Sequence, residues 1–141
     1  MLGGFSIITY NSRMKAPKPQ YIPGVCNIGP AEIRARQLVG WVGLATTIAV
    51  WGLLHYVQTP ALTRLIVGLP AGAAASGFIQ GAMHFCAGFG MQGLFNMGNT
   101  VGATENAFQS EMRQADQRKA WQIIRLSALV GASVALLAIV F

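Results

Sequence analysis

Forty consecutive residues, Leu65 to Thr104, contain no Asp, Glu, Lys or Arg. Residues 38–57 are equally free of charge, and residues 120–141 contain only Arg125. Each stretch reaches the ~20 apolar residues that a helix needs to cross the hydrocarbon core of a bilayer. The whole chain is only 10% charged, against about 25% in ordinary soluble domains. We therefore predict an all-α integral membrane protein.

Three transmembrane helices are predicted, at about residues 38–57, 62–86 and 120–141. The apolar stretch between Leu65 and Met97 is longer than one crossing but too short for two crossings and a turn. Lys and Arg precede the first and third spans, whereas Arg64 alone lies between the first and second. Because Lys and Arg collect on the cytoplasmic side of a membrane, this distribution favours three crossings. It also places the N-terminus in the cytoplasm or the mitochondrial matrix.

A Pro-rich arm, residues 1–29, is predicted to precede a single helical membrane domain, residues 30–141. The prolines of the arm recur too closely for a helix, so the arm should be irregular. Pro30 suits the first position of a helix, where its missing N–H needs no partner. Residues 31–37 should then lead without a break into the first span.

A second polar segment precedes the third span. Residues 104–119 place Phe108, Met112 and Ala115 at helical spacing, with Thr104 as a plausible N-cap. They are predicted to form an amphipathic helix, which lies on the cytoplasmic face or extends the third span. Residues 87–101 are rich in glycine, and the sequence leaves open whether they prolong a helix or form a re-entrant loop.

The net charge of +6 raises the question of nucleic-acid binding. The basic residues cluster at the ends of spans and are not interleaved with aromatic residues, as a base-stacking surface would require. Their position instead suits anionic lipid headgroups. Nucleic acid is therefore not an expected partner.

Small residues recur at four-residue spacing in the predicted spans. In lipid, close approach of helix backbones takes the place of hydrophobic attraction, so such seams indicate helix interfaces. The first span carries Ala45 and Ala49. The predicted interface in the other spans comprises Gly68, Gly72, Gly77, Gly81, Ser127, Gly131 and Ala135. Packing within the chain and docking of a partner subunit both stay open.

His84 is the candidate cofactor residue. At 1.5 Å per residue it lies about 30 Å along the second span from Arg64, at the cytoplasmic interface and one turn beyond Gln80. Polar side chains at membrane depth are often functional, so a single axial ligand to a haem or chlorophyll-type pigment is one interpretation. A hydrogen bond to Gln80 or to a backbone carbonyl is the other. His55 falls near the opposite interface, which excludes a bis-histidine haem.

A metal site is a further hypothesis. Cys26, His84 and Cys86 would all lie near one interface, and their side chains suit zinc or copper. The spacing lacks the C-x-x-C pattern of structural zinc sites, so two free thiols are the alternative interpretation.

No catalytic motif supports an enzyme. The chain has no H-E-x-x-H, no G-x-S-x-G and no phosphate-binding G-x-x-x-x-G-K.

We predict a non-catalytic accessory or structural subunit of a larger membrane complex, without a cofactor. Its partners would be lipids and other membrane subunits or a second copy. A bacterial inner membrane is the expected location, and the mitochondrial inner membrane is the alternative. The other functions considered are a cofactor-holding protein centred on His84 and a small oligomeric transporter.

Overall fold

The computed structural model describes residues 19–141, most of which are helical. The long helices are α1, Pro30–Tyr56; α2, Gly68–Ala82, which continues a 3₁₀ helix at Ala61–Val67; and α4, Ser110–Val140. A short helix α3, Ala87–Gln92, and two strands, β1 at Leu94–Phe95 and β2 at Glu105–Asn106, lie between α2 and α4.

Three stretches of helix are long and apolar enough to span a membrane. They are α1, the run Ala61–Ala82 and α4, whose most apolar windows have mean hydropathies of 1.6, 1.4 and 2.3. The run Ala61–Ala82 has 22 residues, which gives at least ~33 Å of helix. That length matches the ~30 Å hydrocarbon core of a bilayer. The three apolar helices expected from the sequence are thus present.

The N-terminal boundary of α1 agrees with the prediction. Pro30 occupies the first turn, and its missing N–H leaves no donor unpaired. The helix continues without a break to Tyr56, so residues 31–37 lead directly into the first apolar stretch.

The predicted helix at residues 104–119 starts six residues too early. The chain is extended where that helix should begin, because β2 pairs antiparallel with β1. Thr104 therefore cannot act as an N-cap, and helix starts only at Ser110. From there the polar residues form a straight extension of the last apolar stretch in one unbroken helix.

The second long helix also ends earlier than predicted, at Ala82 instead of residue 86. The chain reverses at His84, whose φ is +52°. Residues 87–101 then fold back as α3, β1 and a loop, and do not prolong α2.

Glycines bring α2 very close to α1. A Cβ placed on Gly77 would overlap the backbone nitrogen of Gly40 and lie 2.7 Å from the carbonyl oxygen of Arg36. A Cβ on Gly43 would lie 2.8 Å from the Cα of Ala74. Real Cβ atoms do not approach other atoms this closely, so these positions accept only glycine.

A second close seam joins α2 to α4. A Cβ on Gly68 or on Gly131 would lie 2.7 Å from the carbonyl oxygen of the other residue. All seven residues of the predicted interface face a neighbouring helix. Those on α2 face α1 or α4, and those on α4 face α2. The seven are Gly68, Gly72, Gly77, Gly81, Ser127, Gly131 and Ala135. Packing within the chain engages this whole set.

One end of the bundle is covered by a folded cap, which comprises residues 19–29 and 83–109 packed on the first turns of α1 and α4. Its apolar centre is Phe85, fully buried against Ala120 and Ile123. The ring of Tyr21 stacks on that of Phe95 with centroids 4.2 Å apart. Residues 19–29 of the predicted irregular arm are therefore held in the cap, whereas residues 1–18 lie outside the described part of the chain.

Candidate functional site

The cap encloses a cluster of buried polar side chains, and Asn27 lies at its centre. Its side chain is fully buried. The Nδ2 donates to the carbonyl oxygen of Cys86 at 3.0 Å, and the Oδ1 accepts from the Cys86 N–H at 2.6 Å. The Asn27 carbonyl also accepts from the N–H of Asn96 at 2.9 Å. One amide thus joins the arm to the turn after α2, much as a short strand would.

Glu32 provides the second anchor of the cap. It lies in the first turn of α1 and is 1% exposed. Its Oε1 accepts from the Asn96 Nδ2 at 3.1 Å and from the Gly102 N–H at 2.6 Å, while its Oε2 lies 3.4 Å from the Arg36 guanidinium. The positive end of the helix further favours this carboxylate. Glu32 therefore holds the loop that follows β1.

Asp116 provides the third anchor, on α4. Its carboxylate is fully buried and accepts from the Tyr21 hydroxyl at 2.8 Å and from the Gly24 N–H at 2.7 Å. These bonds tie residues 21–24 to a helix more than ninety positions away in the chain.

The Tyr21–Asp116 pair should make stability fall at alkaline pH. Burial, the hydrogen bond to Asp116 and the negative charge of Asp116 all raise the pKa of Tyr21. Because the pKa is raised in the folded state, this stabilisation is complete below the unfolded value of about 10 and is lost as pH rises above it. Thermal melts of the wild type and Tyr21→Phe, recorded at about pH 7 to 11, check this.

The free energy of unfolding of Tyr21→Phe should be about 1–2 kcal/mol lower than that of the wild type at neutral pH. Above neutral pH, it should fall less steeply than that of the wild type. The other tyrosines are present in both proteins, so their contribution cancels. Parallel melting curves across the alkaline range would contradict the role given to this pair.

His84 lies in the turn after α2, and its side chain is exposed. Its carbonyl oxygen accepts from the N–H groups of Asn27 and Ile28, at 3.2 and 3.4 Å. The predicted bond to Gln80 is not formed, because Gln80 Oε1 accepts from the Ala87 N–H and its Nε2 donates to Ser76. The backbone of His84 thus serves the cap, while its imidazole points away from the buried cluster.

Replacing His84 by glycine should leave the protein as stable or raise its stability by up to about 1 kcal/mol. A φ of +52° is strained for a residue with a Cβ and free of strain for glycine. His84→Ala keeps the strain and serves as the matched control. In thermal melts the glycine variant should unfold above the alanine variant. The reverse order would contradict the strain assigned to this turn.

The structure does not bring the predicted metal ligands Cys26, His84 and Cys86 together as one cluster. Across residues 19–141, no group of three or more His, Cys, Asp or Glu side chains could hold a metal ion. Cys26 and Cys86 are free thiols. The buried Cys86 Sγ accepts from the Phe89 N–H at 3.4 Å, and the Cys26 Sγ donates to the Ile28 carbonyl oxygen at 3.7 Å. Burial raises the pKa of Cys26, which makes it a weak nucleophile at neutral pH.

The buried side chains of the cap hold backbone in place. Asn27, Glu32, Asn96 and Asp116 each bond at least one main-chain group. Glu32 and Asp116 also bond the side chains of Arg36 and Tyr21. This pattern stabilises the conformation of the cap. Comparisons with models of known protein families, with curated proteins and with solved structures found no match for this chain.

Most of this cluster has no local signal in the sequence. No functional motif marks Asn27, Glu32 or Asn96 in the sequence. One signal was present for Asp116. It lies four residues from both Met112 and Ala120, so it falls on the apolar stripe of a helix, where an unpaired charge would be costly.

Proposed function

We propose that this chain is a non-catalytic accessory subunit of a larger membrane protein complex. Its three apolar helices cross the membrane, and the cap lies on the cytoplasmic or matrix side. The observation that carries the proposal is the free face of α1, which we propose to be the docking surface for a helix of the partner.

The free face of α1 carries a stripe of small residues that stays exposed in the described part of the chain. Gly40 and Gly43 face α2, and at 100° per residue Ala45, Ala49 and Gly52 fall on the opposite side of the helix. Both alanines are exposed, and a Cβ on Gly52 would meet nothing within 4 Å. Only 6% of the apolar window of α1 is buried, so this helix is the least covered of the three.

Small stripes of this kind favour close packing with a second transmembrane helix. The seven small residues of the predicted interface on α2 and α4 are already engaged in the bundle, whereas this stripe has no occupant within residues 19–141. The proposed mode of docking therefore agrees with the small-residue packing expected from the sequence, but it uses a different helix.

Charge supports the proposed orientation. Arg64 lies at the end of the bundle opposite the cap. Every other Lys and Arg precedes α1, lies in its first two turns or lies between the start and the middle of α4. Under the positive-inside rule the cap should face the cytoplasm or the matrix.

Purification from native membranes in a mild detergent tests the proposal. The wild type should carry a partner subunit, which mass spectrometry identifies. The double variant Ala49→Leu, Gly52→Leu should lose it, because bulk on the stripe keeps the helices apart. Ala73→Leu, at an exposed position of α2, is the matched control and should keep the partner. A monodisperse wild-type monomer, or equal recovery of the partner in all three proteins, would contradict the proposal.

We also propose that the subunit works without a bound haem, pigment or metal. The exposed imidazole of His84 and the hydrogen-bonded thiols support this. An absorption spectrum and elemental analysis of the purified protein should show neither a chromophore nor stoichiometric metal. A chromophore that His84→Ala abolishes would favour the cofactor-holding alternative instead.

A further inference from the structure

A groove opens between α1 and α4 at the end of the bundle opposite the cap. It holds about 390 Å³, within the range of small-ligand sites. Thr47, Ile48 and Trp51 of α1 form one wall, Val134, Leu137 and Ala138 of α4 form the other, and Val67 lies between them. The only hydroxyl in these walls belongs to Thr47, and it donates to the Gly43 carbonyl oxygen at 2.7 Å. The groove is therefore apolar.

Arg64 lies three residues before Val67, which contributes to the groove. It belongs to the same 3₁₀ helix as Val67, and residues three apart on such a helix lie on one face, about 6 Å apart along the axis. Arg64 therefore stands on the groove side, one turn nearer the aqueous end. Its Nε is buried and has no hydrogen-bond partner among residues 19–141. Among residues 19–141, no other Lys or Arg belongs to this end of the bundle.

We propose that this groove is a phospholipid-binding site, with one acyl chain between α1 and α4 and the phosphate against the Arg64 guanidinium. An apolar channel that ends at one cation matches the order of groups in a phospholipid, whose charge lies at the interface and whose chain runs inward. Guanidinium groups bind phosphate oxygens through charge-assisted hydrogen bonds. The site requires that the helices cross a bilayer, but it does not require a partner subunit.

Native mass spectrometry of the full chain tests the site. The protein is stripped of lipid in detergent and then incubated with phosphatidylglycerol, phosphatidylcholine or diacylglycerol of the same acyl composition. One phosphatidylglycerol or phosphatidylcholine per chain should be retained, because both carry the phosphate. Diacylglycerol should not be retained.

Two variants act on the two halves of the site. Arg64→Gln removes the charge, and Ile48→Trp fills the groove from a position that is 62% exposed, so the fold should tolerate it. Each should lower lipid retention roughly tenfold, as expected for the loss of a charge-assisted contact or of the acyl channel. Arg125→Gln, at the middle of α4, and Val42→Trp, outside the groove, are the matched controls and should retain lipid as the wild type does.

Three results would overturn the proposal. The first is the absence of any retained lipid in the wild type, and the second is equal retention in Arg64→Gln and Arg125→Gln. The third is a lipid-free dimer that Ile48→Trp converts to a monomer, because a second copy would then occupy the groove.

Discussion

Replacing Gly77 by leucine is expected to force α1 and α2 apart and to destabilise the folded protein by about 3 kcal/mol or more. The added Cβ would overlap the Gly40 nitrogen and approach the Gly40 Cα to 2.8 Å. These atoms are backbone, so no side-chain rotation relieves the overlap. Thermal unfolding in a fixed detergent, followed by circular dichroism, measures the effect.

Gly52→Leu is the matched control for this substitution. Gly52 lies on the free face of α1, and a Cβ there would meet nothing within 4 Å. In the purified chain this change should alter stability by no more than about 0.5 kcal/mol. If the two variants unfolded at the same temperature, the close α1–α2 seam would be contradicted.

Replacing Asn27 by leucine is expected to destabilise the cap by about 2–4 kcal/mol. The substitution leaves the Cys86 N–H buried without a partner, which costs about 1–3 kcal/mol. It also removes one of the two bonds to the Cys86 carbonyl oxygen, which keeps the Gly90 N–H at 2.9 Å, and this loss adds about 0.5–1.5 kcal/mol. Because the cap would open more often, the Cys86 thiol, 2% exposed in the folded chain, should react with a maleimide much faster than in the wild type. The long helices should keep their helical signal.

Gln92→Leu is the control for the loss of an amide. Gln92 is exposed, and its Nε2 donates to the Gly88 carbonyl oxygen at 3.2 Å in contact with solvent. Its replacement should change stability by less than about 0.5 kcal/mol and should leave the reactivity of Cys86 low. Equal thiol reactivity in the wild type and in both variants would argue against a cap held by Asn27.

The apolar helices could be predicted from the sequence because their signals are local. The charge-free runs fix which segments are apolar, and Pro30 marks a helix start through its own covalent geometry. The small-residue spacing also indicated close helix packing. It could not show which helix meets which, since Gly77 and Gly131 carry the same local pattern but face different partners.

The cap could not be predicted because its bonds join distant parts of the chain. Asn27 and Cys86 are 59 positions apart, and Tyr21 and Asp116 are 95 positions apart. Such pairs leave no periodic trace in one sequence. Thr104 is an example. Its local sequence suits a helix N-cap, but the pairing of β1 with β2 and the bond from the Gly102 N–H to Glu32 hold the chain in another conformation.

The central claim is that the cap and the turn after α1 lie on opposite sides of a membrane. Single cysteines at Ala61 and Ala103, both exposed, test it in a chain whose own thiols are replaced through Cys26→Ser and Cys86→Ser. In sealed right-side-out vesicles, a membrane-impermeant maleimide should label the Ala61→Cys protein at once. It should label the Ala103→Cys protein only after the membrane is permeabilised. Labelling of both positions from the same side of the intact membrane would contradict the account.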